Sequence, residues 1–164
     1  MTADAARQRY LRARALLEAT AHSCERLLDA MRDERVALQN ADTAAVNGAV
    51  SRKKIHLADL ESHEAERKAL LSACGSAVSL DAMQAFIRDN DDPRKTLATL
   101  WGQTLDLLAQ CRSANNTNGA IIAAQRRQHN EALKVIRQQE AEPETYGPQG
   151  QTETTGQYRA LAEV

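Results

Sequence analysis

The feature that most constrains this fold is a line of apolar and amide side chains between Pro93 and Gln139. Its members recur every three or four positions without a slip. They are Leu108, Cys111, Asn115, Asn118, Ile122, Gln125, His129, Ala132 and Ile136. This spacing is typical of a helix that packs along its length against other helices. We therefore predict one long helix here, which at 1.5 Å per residue would measure roughly 65 Å.

The middle of this line is polar. It contains Asn115 and Asn118, and Gly119 follows directly. An Asn-Gly pair could form a hairpin turn instead, but the spacing continues in register on both sides and favours an unbroken helix. We expect Asn115 and Asn118 to be buried or half-buried amides that fix the register of neighbouring helices.

Composition favours an all-α fold. Of 164 residues, 43% are hydrophobic, but only one Trp, one Phe and three Tyr are present, and Pro occurs three times. Aliphatic residues with few helix breakers suit helices, and a core poor in aromatics suits a narrow bundle. We predict an elongated antiparallel three-helix bundle or coiled coil, with a short connecting helix and a flexible C-terminal tail.

The predicted bundle covers residues 1–140, and the tail covers 141–164. Its helices span about 5–40, 43–74 and 93–139, with a short helix at about 80–88. Asp42 and Ser79 are predicted N-caps of the second and short helices. Asp92 is predicted to cap the long helix, with Pro93 in its first turn.

Charged residues interrupt these patterns at two places. Glu34 falls on the apolar line of the first helix, where it is either near solvent at the helix end or a partner for Arg67. The basic cluster of Arg52, Lys53 and Lys54 is interpreted as a solvated face.

No group of residues typical of an enzyme stands out. None of the four histidines follows a glutamate by three positions, so the Glu-x-x-His motif of di-metal bundles is absent. The three cysteines form no Cys-x-x-Cys pair and are read as reduced thiols. No phosphate-binding glycine loop is present. We expect no enzymatic activity, no cofactor and no metal site.

Charge and hydropathy limit the remaining partners and compartments. The formal net charge is −1, with 21 basic and 22 acidic residues, which gives no electrostatic case for nucleic acid. No apolar run approaches the roughly 20 residues of a membrane span, and no secretory signal is evident at the N-terminus. We expect a cytoplasmic protein without stable membrane insertion.

Binding of another protein is the remaining class of function. The second half of the long helix carries apolar residues with no assigned neighbour, and such a stripe suits a partner's amphipathic helix. The candidate contacts are Ile121, Ile122, Leu133 and Ile136. For Ile122 and Ile136, a place in the protein's own core is an equally good interpretation.

The tail changes composition after Gln139, becoming polar and rich in Gly and Pro. It then regains apolar residues, which makes it a candidate docking peptide, although a frayed terminus remains the alternative. Its candidate docking residues are Tyr146, Tyr158, Leu161 and Val164.

Several of these segments together resemble the FlgN family. The stretch Cys111-Arg-Ser-Ala-Asn-Asn-Thr-Asn-Gly-Ala-Ile-Ile122 resembles the family's Asn-x-x-Asn-Gly-x-x-Ile motif. Ala132-Leu-x-x-Ile-Arg137 is similar to its Ala-Leu-x-x-Leu-Arg, and Tyr146-Gly-Pro-x-Gly-Gln-Thr152 to its Tyr-Gly-x-x-Gly tail. The resemblance is specific between Trp101 and Thr152 and weak in the first helix.

The resemblance implies a cytoplasmic chaperone of type III export in the bacterial flagellum. Its clients would be the hook-associated proteins of the hook–filament junction (FlgK- and FlgL-like proteins), bound through their C-terminal helical segments. The chaperone would prevent premature assembly or degradation and deliver its clients to the export gate. A coiled-coil structural or adaptor protein that acts by self-association is the alternative, and a weak homo-oligomer is compatible with either.

Overall fold

A computed structural model describes residues 3–140 of the chain, with side chains from 4 to 138. Four helices occupy this range: α1 (Ala3–Gln39), α2 (Thr43–Ala73), α3 (Leu80–Asn90) and α4 (Thr96–Glu140). No strand occurs among these residues, so the all-α prediction is confirmed.

The chain divides into two units, and α4 contributes to both. The first unit extends to Ile122 and contains α1, α2, α3 and the first part of α4. The second unit begins at Ala123, and the part of it described here is a continuous helix. The predicted boundary at residue 140 stays a prediction.

The first unit is a three-helix bundle closed at one end by α3. Helix α2 runs antiparallel to α1, whereas α4 runs parallel to α1, as an up-down-up chain path requires. The pairs that show this are Leu71 with Leu17, Lys53 with Glu34, Cys111 with Cys24 and Asn118 with Met31. The predicted antiparallel three-helix bundle is confirmed.

Two apolar clusters form the core of this unit. The larger one lies at the end covered by α3 and draws residues from all four helices. Its buried members are Ala13, Leu16, Leu17, Leu70, Leu71, Met83, Phe86, Ile87 and Leu97. The smaller cluster, farther along the bundle, joins Cys24, Leu27, Leu28 and Met31 of α1 to Cys111 of α4.

The N-caps of α2 and α3 are those predicted. Asp42 accepts a hydrogen bond from the backbone N–H of Ala45 at 2.9 Å, and Ser79 accepts one from Ala82 at 3.0 Å. Each side chain satisfies a donor that the first turn of its helix leaves free.

The predicted start of α4 is wrong by three residues. Lys95 has a φ of 56°, a left-handed conformation that no helix continues through, so α4 begins at Thr96 and Pro93 precedes it in a turn. Two carboxylates then cap the helix. Asp92 accepts a hydrogen bond from the backbone N–H of Thr96. Asp91 accepts hydrogen bonds from the backbone N–H groups of Leu97 and Ala98.

Helix α2 packs through a face that is aliphatic near both ends and mainly polar in the middle. Ile55 and Leu57 are exposed. The partly buried positions between Ala49 and Leu70 are instead mainly polar, and the bundle-facing ones are Lys53, His56, Leu60, His63 and Arg67. The middle of α2 therefore lacks the large aliphatic side chains that would fill the bundle interior.

Of the nine members of the predicted line on α4, two are buried. Cys111 and Asn118 are buried as predicted, but Leu108, Asn115 and Ile122 are exposed. The residues one position earlier, Leu107, Ala114 and Ile121, are half-buried in their place. Farther on, His129, Ala132 and Ile136 are exposed, contrary to the prediction of a buried line.

Candidate functional site

Asn118 is the buried polar centre of the first unit. Its side-chain amide donates to the backbone carbonyl oxygen of Met31 at 2.8 Å and to the Glu34 carboxylate at 2.6 Å. Its carbonyl oxygen accepts from Nε of Arg35 at 3.1 Å. All three partners lie within about one helical turn of α1, so Asn118 links α4 to that turn.

Glu34 belongs to the same polar network. Lys53 of α2 donates to both of its carboxylate oxygens, at 2.8 and 3.0 Å, and the two side chains are 15% and 4% exposed. Both sequence interpretations of Glu34 are therefore wrong, because it is buried and its ionic partner is Lys53. Arg67 pairs with Glu64 on its own helix. The solvated-face interpretation also fails for Lys53.

The other two motif residues do not share this burial. Asn115 is exposed and accepts a long hydrogen bond of 3.4 Å from Lys53, so the prediction of a buried amide is wrong here. Gly119 is also exposed, and a Cβ placed on it would meet nothing within 4 Å. No packing contact in the first unit requires a glycine at this position.

The candidate partner-binding residues fall in both units. In the first, Ile121 is half-buried and Ile122 is 38% exposed. In the second, Leu133 and Ile136 are 50% and 51% exposed. Val135, at 54%, joins them as a residue that the seam analysis missed because it lies off the predicted line.

The first unit also contains an apolar groove that the sequence analysis did not identify. We call it the α2–α4 groove. It comprises two adjoining cavities of about 200 and 680 Å³ that share Leu80, Leu105 and Leu108. The side chains that shape it further are Leu60, His63, Arg67, Trp101 and Arg112. The one sequence signal that could have indicated this groove is the polar middle of α2, whose side chains leave space beside α4.

Two of the three cysteines are buried together. Cys24 and Cys111 face each other across α1 and α4, and the Cys111 thiol donates to the backbone carbonyl oxygen of Cys24 at 3.5 Å. A hydrogen bond between the two thiols, together with burial, raises the pKa of Cys24. Cys74 is exposed.

Among residues 3–140, no group of three or more His, Cys, Asp or Glu side chains is placed to hold a metal ion. No helix in that range has the length and hydropathy needed to cross a bilayer.

The tail residues Tyr146, Tyr158, Leu161 and Val164 lie outside the described residues. Their predicted docking role stays a prediction.

Comparison with protein-family models identifies a family that covers most of the chain. The family model described as FlgN protein matches residues 12–154, which is most of the chain and includes the Asn-Gly and Tyr-Gly motifs. No curated protein and no solved structure gives a significant match.

Proposed function

The chain belongs to the FlgN family of flagellar export chaperones, and from this premise we propose which segments it binds and where. It binds the C-terminal helical segments of the hook-associated proteins at the hook–filament junction. Binding takes place in the bacterial cytoplasm and keeps these segments from assembling or being degraded. The complex then delivers its client to the type III export gate.

The observation that carries this proposal is the exposed apolar surface of α4 in the second unit. Leu133 and Ile136, which are three positions apart and share one face of the helix, are 50% and 51% exposed, although large aliphatic side chains usually lie inside a protein. A client helix that covered them would remove this apolar surface from water.

The charge around this surface indicates the chemistry of the client. Residues 123–138 contain the basic Arg126, Arg127, Lys134 and Arg137 but only one acidic residue, Glu131. A client helix that combines aliphatic residues with acidic ones complements this segment, because opposite charges steer association and fix orientation.

The expected affinity is moderate. Burying two or three aliphatic anchors yields about 1.5–3 kcal/mol each. Ordering a disordered client segment opposes this gain. The balance corresponds to dissociation constants on the order of micromolar, which suits a chaperone that must release its client.

The test is a titration of a client's C-terminal segment into the full chain and into Leu133→Asp. We expect the substitution to weaken binding roughly tenfold or more. Leu11→Asp is the matched control, because Leu11 is a helical leucine of similar exposure, 45%, on α1. Far-UV circular dichroism checks that both variants keep their helices.

Two outcomes would count against the proposal. Equal affinity of Leu133→Asp and the unmodified chain would remove Leu133 from the client site. A stable homodimer that buries α4 and binds no hook-associated segment would favour the alternative, a self-associating adaptor.

A further inference from the structure

The α2–α4 groove is an open apolar surface within the first unit. Leu80 of α3 is 60% exposed, and Leu105 and Leu108 of α4 are 37% and 40% exposed. All three line both cavities, so the two cavities form one continuous groove. Three neighbouring leucines that remain exposed in one concave surface are typical of a protein-binding site.

Three buried polar atoms at this groove make no hydrogen bond. They are Nδ1 of His63, Nη1 of Arg67 and Nε1 of Trp101, and all three residues line the smaller cavity. Buried polar atoms in native proteins nearly always have a partner. The indole N–H and the guanidinium are donors only, so what the cavity lacks is an acceptor.

The charged side chains at the groove also favour a partner that supplies acceptors. Glu64, its one acidic side chain, is already held by Arg67 and Lys68, and the hydrogen bond from Arg67 lowers the pKa of that carboxyl. Arg112 lines the larger cavity, is exposed, and forms no ion pair with any residue from 4 to 138. The groove therefore offers positive charge and hydrogen-bond donors around an apolar floor.

We propose that the α2–α4 groove docks an acidic amphipathic helix from a protein partner. Aliphatic side chains of that helix lie on Leu80, Leu105 and Leu108, and a carboxylate faces Arg112. This surface is separate from the Leu133 region, so the chain presents two docking surfaces for helices.

Trp101 supplies a reporter for this groove, because it is the only tryptophan in the chain and lines the smaller cavity. Its indole N–H gives a single resonance in a ¹⁵N-labelled sample of the full chain. The probe is a tryptophan-free synthetic amphipathic peptide of about five helical turns, with leucines on one face and glutamates beside them. A second peptide carries lysines in place of the glutamates.

We expect the glutamate peptide to shift the Trp101 indole resonance in a saturable way. The lysine peptide should bind at least roughly tenfold more weakly than the glutamate peptide. Leu108→Asp should weaken the glutamate peptide to a similar extent, whereas Leu11→Asp should not. Arg112→Glu should reverse the preference between the two peptides. This charge reversal stays informative if Leu108→Asp disturbs folding.

Four outcomes would overturn the proposal. One is an indole resonance that neither peptide shifts, and another is equal affinity of Arg112→Glu for both peptides. A shift that follows protein concentration alone would place a second copy of the chain in the groove. A shift caused by truncation after Gln139, without peptide, would place the chain's own C-terminal segment there.

Discussion

The side-chain amide of Asn118 donates a hydrogen bond of 2.8 Å to the main-chain carbonyl oxygen of Met31, and this bond joins α4 to α1 at a buried position. The contact depends on register, because sliding α4 by one turn would leave the amide without Met31 and without Glu34. Such a buried amide restricts how helices pair, as it does at the seam of coiled coils.

Asn118→Ala is therefore expected to destabilise the protein. Removing the amide takes one hydrogen bond from the buried Glu34, which keeps Lys53, and takes the Asn118 acceptor from Arg35; the expected cost is about 1–3 kcal/mol. Asn115→Ala is the matched control. Asn115 is an exposed helical asparagine, and alanine should stabilise the helix there by about 0.5 kcal/mol. Urea unfolding measures both, and the same small effect at the two sites would contradict a register role for Asn118.

The Lys53–Glu34 pair gives a second prediction. Lys53→Met leaves the nearly buried Glu34 carboxylate without its cation and is expected to cost about 3–5 kcal/mol. Adding Glu34→Gln should recover much of that loss, because a neutral amide can still accept from Asn118. Arg52→Met, which breaks the neighbouring exposed pair with Asp33, should cost less than about 1 kcal/mol. Equal losses for Lys53→Met and Arg52→Met would contradict the prediction.

The three cysteines are expected to differ in reactivity because they differ in burial. Cys74 is exposed, whereas Cys24 and Cys111 are buried against each other. Because burial blocks access of a reagent to a thiol, a disulfide exchange reagent should modify one thiol quickly in the native protein and three in denaturant. Cys74→Ser should remove the fast phase. A fast phase that survives this substitution would mean that the buried pair is accessible.

The buried face of α1 follows directly from the spacing of its apolar residues. Leu17, Cys24, Leu27, Met31 and Leu38 lie on one helical line, and all are buried. On α4 the same reasoning predicted burial one position too late in three adjacent pairs of residues. Adjacent pairs such as Leu107–Leu108 and Ile121–Ile122 offer two equally apolar lines, and only contact with α1 and α2 decides between them. At Ala114–Asn115 the smaller residue faces the bundle.

Polar pairing between helices could not be predicted from spacing. Nothing local indicates that Lys53 faces inward while its neighbours Arg52 and Lys54 face water. In the middle of α2, Ile55 and Leu57 are exposed while mainly polar side chains face the bundle, and spacing alone does not reveal the space that this leaves beside α4. The candidate surface at Leu133 was predicted from apolar residues on and beside the long line of α4, and it stays a prediction.

Asp92 makes the start of α4 sensitive to acid. The backbone N–H of Thr96 is the main cause of the lowered pKa of the Asp92 carboxyl, and the hydroxyls of Thr96 and Tyr10 add to it. Since the pKa is lower in the folded state, the stabilisation is complete above the ordinary value of about 3.9 and is lost as pH falls through the folded-state value.

Asp92→Asn is therefore expected to lower the melting temperature at neutral pH and to make little difference at pH values well below the folded-state pKa. Thermal melts followed by circular dichroism across that range measure the difference. Asp106→Asn is the control, because Asp106 is an exposed α4 carboxylate that forms no hydrogen bond or ion pair with residues 4–138. A penalty for Asp92→Asn that is constant with pH would contradict the capping role.

The last prediction concerns the segment after Gln139, which lies almost wholly outside the described residues. Its sequence carries Tyr146, Tyr158, Leu161 and Val164 after a Gly- and Pro-containing stretch. A tethered segment acts at high effective concentration near its own chain. It therefore suits two roles: it covers the client-binding surface, or it docks on the export gate through Tyr146, whose large ring has a polar tip.

Truncation after Gln139 separates these roles, because they predict opposite results. Loss of a covering segment raises client affinity. Loss of a gate-docking segment leaves client affinity unchanged and abolishes export. We expect the second result, and we expect Tyr146→Ala in the full chain to reproduce the export defect. Client titration and a secretion assay for the hook-associated proteins measure the two effects. If truncation changes neither, the segment has no part in either step.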